Sequence, residues 1–320
     1  MKRSGLYAKR LSVVLCAVIL AALVFAPAAA AQWPDGKAVT LVVPFAAGGG
    51  TDIIARMLVE AMQPYVNGPI VIKNVPGSGS GIGTNEVMLA RPDGYTLLLS
   101  GTHTITAALQ GYTIRSLDSL EHVASLNWDP YVIAVGVNQP YHTLEELIEA
   151  GSAVTFGNAG AGALTHLVSE ALNEATGAGW RIVPFNGGAQ LIANVVGGHV
   201  VAGIFSQSEM LGQLTTLRPL AVTSSTRSPL FPDIPTLEEL GYTGIPQGSF
   251  RSISAPKGLA PEVKQAIAKA VYSGLTDPKF RQYAAENGLI ETYLEGPELE
   301  AYYAELEELL RGLLEKIGAL

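Results

Sequence analysis

The stretch VVPFAAGGGTDIIARMLVEAM, Val42 to Met62, places three consecutive glycines, Gly48 to Gly50, between an apolar run and an amphipathic helical pattern. An apolar run that ends in glycines and reopens as a helix reads as a strand-to-helix junction. The first N–H groups of a helix have no internal partner and carry a partial positive charge, and glycine lets a ligand approach them closely. The junction could therefore hold a nucleotide, serve a catalytic loop, or cradle some other anion. A nucleotide loop is excluded because no Gly-Lys-Ser/Thr follows. The related stretch PGSGSGIG, Pro76 to Gly83, does not satisfy G-x-G-x-x-G and lacks an acidic partner for a ribose. It also lacks the central serine of a hydrolase elbow.

Outward from this junction the chain alternates β-branched runs with helical patterns. VTLVVPF, PIVIKNV, YTLLLSG and YVIAVGV (Tyr131 to Val137) read as strands, with TDIIARMLVEAM and GTNEVMLARP as helices between the first three. HTLEELIEAG follows with Thr143 as N-cap and Glu146 three residues on, a capping box. A second series, from Ala153 to about Ser225, repeats the grammar: AVTFGNAG, WRIVPFNG, VVAGIFSQ and LRPLAVTS as strands, LTHLVSEALNEATG and AQLIANVVGG as helices. The pattern predicts an α/β fold of parallel-rich sheets with helices on both faces. RSISAPKGLAPEVKQAIAKAVYSGL reads as strand, turn and helix, with Pro261 near the first helical position. DPKFRQYAAENG and GPELEAYYAELEELLRGLLEKIG are further helices. The last reads as a surface helix on the first domain, with a heptad dimerisation helix as its rival.

Glycine- or hydroxyl-rich loops follow strands four times: AAGGGTD, NVPGSGSGIG, SGTHT and FGNAGAGALTHL. Ligands of open α/β sheets bind at such loops, outside the carboxyl ends of the strands. One such loop would read as a tight turn; four at equivalent positions read as two lobes facing each other across a cleft.

Composition bounds what the cleft can serve. Lys2, Arg3, Lys9 and Arg10, the apolar run Leu11 to Phe25 and APAAAAQ form the pattern of a secretory signal peptide (residues 1–31), cleaved after Ala31. An uncleaved anchor and a lipoprotein at Cys16 are the alternatives; the run is shorter than the roughly 20 residues of a spanning helix, and Leu15 is too bulky before a lipidated cysteine. Cys16 is the one cysteine, so the mature chain relies on its core rather than on disulfides. The formal net charge is −8, and −12 without the four leader cations. Such a chain is a poor partner for nucleic acid or anionic membrane. No cofactor motif and no metal-binding histidine pair occurs among His103, His122, His142, His166 and His199. His166, one turn into its helix, reads as a loop-holding residue, and Asp52, in a first helical turn, as a capping carboxylate with ligand contact as its second reading.

Taken in order, VVPFAAGGGTDIIAR, Asn74 with PGSGSGIG, RPDGYTLLLSGTHT, FGNAGAGALTHL, VPFNGGAQLIANVVGGHV, LRPLAVTSSTRSPLFPDIPTLEELG and SAPKGLAPEVKQAI with DPKF make the chain resemble the Bug-type periplasmic solute receptors of tripartite tricarboxylate transporters, from about Trp33 to the C-terminus. The resemblance implies a periplasmic binding protein of type II, two Rossmann-like lobes around a ligand cleft in Venus-flytrap fashion. Residues 32–130 and 253–320 would form lobe 1 and residues 131–252 lobe 2. It implies a non-enzymatic periplasmic receptor, monomeric by default, that hands a small carboxylate to membrane permease subunits. A sensor feeding a two-component system is the alternative, and an exported hydrolase or isomerase using a cleft histidine a further one. Carried over by motif position, the ligand-binding candidates are Phe45, Gly49, Gly50, Thr51, Asp52, Ser78, Gly79, Thr102 and His103 in the first lobe, and Gly160, Gly162, Ala163, Thr165, Phe185 and Gln207 in the second.

The sequence departs from the family pattern near that cleft. Thr106 and Ala107 replace a frequent Asn-Pro, Ala163-Leu164 a hydroxyl-Pro pair, Asn186 a lysine and Val201 an acid, and Phe205-Ser206-Gln207 stands for Phe-Asp-Asn. These changes bear on which carboxylate is bound. Phe45, Phe185 and Phe205 would suit an apolar or aromatic ligand body, or serve as lobe core.

Overall fold

The first strand, β1 (Val39–Val43), is nearly all apolar and buried, as a strand covered on both faces must be. It runs parallel to β2 (Ile70–Asn74) on one side and β3 (Thr96–Gly101) on the other. The crossovers are α1 (Gly50–Met62), which buries Ile54, Ala55, Leu58 and Met62, and α2 (Gly81–Met88). β2 lies at the sheet edge and its side chains are at most half-buried. After β3 the chain enters α3 (Thr102–Leu109).

The computed structural model describes residues 33–316 and 318–320, which form one compact unit; the signal peptide and its cleavage point lie outside the described residues. The second series follows the same plan: α4 (Leu144–Glu149), β5 (Thr155–Asn158), α5 (Leu164–Thr176), β6 (Arg181–Pro184), α6 (Gly188–Val196), β7 (Ala202–Ser206), the short α7 (Gln207–Met210) and β8 (Leu217–Val222). β5 is parallel to β6 and to β7. The Thr143 hydroxyl caps α4 by accepting from the Glu146 amide at 3.2 Å, and Glu146 reaches back to the amide of His142, one residue before the cap.

One strand differs from the sequence reading. β4 does not begin at Tyr131; it spans Leu120–Gly136, 17 residues, and belongs to both halves. Its first part pairs antiparallel with β9 (Gly248–Pro256), from Leu120 opposite Pro256 to Pro130 opposite Gly248. From Tyr131 onward it pairs with β7 and β8 instead. Pro130, which has no N–H to donate, sits where the partners change and where a ladder bond is least missed. The strand order is β2-β1-β3-β9-β4-β7-β5-β6, parallel in its outer parts and antiparallel at the centre.

The remaining elements are α8 (Pro261–Leu275), α9 (Pro278–Glu286), β10 (Ile290–Glu291) and α10 (Gly296–Lys316). Two main cores result. One joins Leu41, Ile54, Leu58, Leu99, Ile253, Ile267 and Val271; the other joins Ile133, Leu144, Phe156, Val168, Leu172, Trp180, Ile204 and Leu220. In the second core the Phe156 and Trp180 rings stack at 4.8 Å between centroids. The last helix does not pack on the first series alone. α10 sends Leu299, Tyr303, Leu306 and Leu310 into the second core and sets Leu313 and Leu314 against Leu167 and Ala171 of α5.

Candidate functional site

Alternation in β4 and β9 builds the floor of the site. Asn127 faces Arg251, Trp128 faces Phe250, and Asp129 faces Ser249 across the ladder. Successive side chains of a strand point to opposite faces. The aromatic face packs on α10, with the Phe250 and Tyr302 rings 4.8 Å apart. The other face is polar yet buried: Asp129 is 0% and Arg251 1% exposed. A charge so deep needs a partner. Arg251 Nη1 lies 3.1 Å from Asp129 Oδ2 but out of line for a hydrogen bond, so Nη1 and Nε have no acceptor among the described residues. Asp129 is otherwise engaged, accepting from the Ser208 hydroxyl at 2.6 Å and the Ser208 amide at 3.2 Å.

Above this floor the strand-to-helix junctions converge on a cavity of about 50 Å³. The Gly50 amide, first in α1, donates to Glu209 Oε1 at 2.8 Å. The Ser206 amide donates to Glu209 Oε2 at 2.9 Å, and Ser206 and Glu209 form a capping box at the start of α7. Gly188, first in α6, comes so close that a Cβ there would lie 1.8 Å from Glu209 Oε1. A side-chain carboxylate thus sits where the starts of α1, α6 and α7 meet. Burial pushes the Glu209 pKa up, against the hydrogen bonds from the Ser206 and Gly50 amides.

The imidazole of His103 forms another wall, edge-on to Phe45 at 5.1 Å. Its Nε2 donates to the Leu99 carbonyl at 3.1 Å. Burial lowers its pKa to about 4, and Arg251 adds to the effect, so the ring is neutral at pH 7. Tyr131 and Ser249 share a hydrogen bond between their hydroxyls at the cavity edge.

Of the residues singled out in the sequence, Phe45, Gly49, Gly50, Thr51, His103, Ala163 and Thr165 line this cavity. Ser78, Gly79, Gly160 and Phe185 line an adjoining open groove of about 550 Å³, which Phe45 also borders. There the two series touch: a Cβ on Gly79 would lie 3.0 Å from the backbone of Gly162. Gly162 itself faces another hollow, and its amide donates to His166 Nδ1 at 3.2 Å, which holds the loop.

Three candidates lie apart. The Asp52 carboxylate is turned to its own loop: burial works against its charge, but bonds from Arg56, the Gly48 amide and Asn74 hold its pKa below the usual range. Gln207 donates through Nε2 to the carbonyls of Asn287 and Gly288, tying α7 to the end of α9. Thr102 is buried with its hydroxyl unpartnered and borders neither cavity nor groove. Sequence reasoning missed Tyr131, Gly187, Gly188, Glu209, Ser249 and Arg251, all of which line the cavity. Ser206-x-x-Glu209 is a capping-box spelling, and Arg251 is a lone cation inside an apolar alternation. Both signals were present in the sequence.

Among the described residues no group of three or more His, Cys, Asp or Glu is placed to hold a metal ion. No helix among them is long and apolar enough to cross a membrane.

This architecture is that of known binding proteins. The chain superposes on the periplasmic binding protein BugD with a TM-score of 0.84 and 32% identity, over 88% of this chain and 98% of that one. A structure of MatC from Rhodopseudomonas palustris with bound malate gives a TM-score of 0.75 and 26% identity, over 88% and 96%. Protein BugT of Bordetella pertussis is 28% identical over 97% of this chain and 98% of its own length. With the model described as "Tripartite tricarboxylate transporter family receptor" matching residues 54–318, the chain belongs to that family of receptors.

Proposed function

We propose that this protein is an exported receptor that encloses a small carboxylate between its two series of βα units and presents it to the membrane permease of a tripartite tricarboxylate-type transporter. The observation that carries this reading is the cavity where the starts of α1 and α6 converge over a buried guanidinium. The buried Arg251 guanidinium and the helix dipoles favour an anion without a covalent nucleophile, and the neutral His103 has no carboxylate among the described residues to orient it as a base. Phe45, Gly49, Gly50, Thr51, His103, Ala163 and Thr165 would contact the ligand's anionic end. Ser78, Gly79, Gly160 and Phe185 would meet its body as it leaves through the groove.

The receptor works by closure in this reading. Residues 32–130 with 253–320 move against residues 131–252, with β4 and β9 as the connecting strands. The ligand shifts that equilibrium by its differential affinity for the closed form. MatC with malate supports the ligand class. Isothermal titration with acetate, malate and citrate, after native mass spectrometry of freshly purified protein, tests the reading. A bound carboxylate is expected, and binding of none of them together with a neutral co-purifying ligand would overturn it.

A further inference from the structure

The anion position at the start of α1 is already taken by the protein's own Glu209. Oε1 accepts from the Gly50 amide at 2.8 Å and Oε2 from the Ser206 amide at 2.9 Å. A Cβ on Gly188 would come within 1.8 Å of the same carboxylate, so the start of α6 packs closely against it. A second carboxylate cannot share these amides. It would also have to enter a cavity of about 50 Å³ that the Glu209 carboxyl group already lines.

The complementary feature is Arg251. Its side chain is 1% exposed, lines the same cavity, and keeps Nε and Nη1 without an acceptor. Asp129 compensates its charge as an ion pair at 3.1 Å but, with its carboxylate aligned on Ser208, accepts no hydrogen bond from Nη1 or Nε. A buried guanidinium with open donors is a receptor for one oxyanion. The groove beyond, bordered by Phe45, Tyr112 and Phe185, offers apolar surface for the rest of a ligand.

Resting on the carboxylate-receptor reading above, we propose that the site selects monocarboxylates: Arg251 binds the ligand's single carboxylate, and Glu209 supplies internally the second carboxylate that a diacid would bring. Glu209 is therefore a specificity-determining residue that excludes di- and tricarboxylates from the Gly50 and Ser206 amides.

The test is isothermal titration of the full exported chain with pairs matched in carbon skeleton, butyrate against succinate and 4-methylbenzoate against terephthalate, at pH 7.5. The wild type is expected to bind a monoacid at least tenfold more tightly than its diacid. Glu209→Gln is expected to reduce or invert that ratio by tenfold or more, and Arg251→Met to weaken the monoacid by at least tenfold while Arg251→Lys restores part of the loss. A wild-type preference for the diacids, or a ratio unchanged in Glu209→Gln, overturns the proposal. The Glu209→Gln ratio decides the matter even if Arg251→Met does not fold. Binding of none of the four acids would instead remove the carboxylate reading beneath it.

Discussion

The amide of Gly50 donates to Glu209 across 159 residues of sequence, joining the first turn of α1 to the short helix after β7. That bond makes the junction of the two series depend on a position with no room for a side chain: a Cβ on Gly50 would lie 2.2 Å from Ser206 Oγ and 3.2 Å from Ser208 Oγ. Gly50→Ala is expected to act as a wedge. It should weaken ligand binding at least tenfold in titration while leaving the circular dichroism of the free protein unchanged. Undiminished affinity would remove the α1 start from the ligand site.

Closure is accessible to solution scattering. A saturating carboxylate is expected to reduce the radius of gyration of the wild type, and less so that of Gly50→Ala. An unchanged radius at saturation argues against moving lobes.

Stability should fall as pH falls below about 6.5. Burial pushes His103 down to about 4 and His122 down to about 3, so the folded state takes up fewer protons than the unfolded chain across that window. Each depressed histidine leaves stability intact above the unfolded pKa and subtracts from it as pH drops towards the folded value. For His103 the loss is roughly 3 kcal/mol at full protonation. Chemical denaturation at pH 7 and pH 4.5 measures it, and His103→Gln should flatten the slope.

The Asp129–Arg251 pair gives a double-mutant cycle. Asp129→Ala leaves a fully buried guanidinium uncompensated and frees Ser208, for an expected cost of about 3–5 kcal/mol. Asp129→Ala combined with Arg251→Met should cost less than the two single changes together. Strict additivity in urea unfolding would mean the two groups do not interact.

Phe156→Ala removes a ring that is 0% exposed and stacked on Trp180, with an expected loss of about 3–5 kcal/mol. A loss below about 1 kcal/mol would show that the second core collapses around the gap.

The βα grammar was legible because it is local. β1, α1 and the α4 cap follow from runs and spacings within a dozen residues. The stretch Leu120 to Asp129 was not read as strand. His122, Asn127 and Asp129 look like a loop until β9 arrives, more than a hundred residues later, to bury them. The candidate site divides the same way. Glycine loops announced the cavity's amides, whereas Arg251 and Glu209 become part of it only through tertiary pairing. Asp52 shows the converse: a residue inside the right motif whose carboxylate is spent on Arg56, Gly48 and Asn74.

The central ladder also sets a schedule for folding. Leu98 pairs with Ser254, and Leu120 with Pro256, so the first series cannot complete its sheet until residues near 250 are available. Contacts this distant along the chain make closure slow. A polypeptide delivered amino end first would thus stay open through most of its synthesis, a condition suited to passage through a narrow translocation pore before it locks.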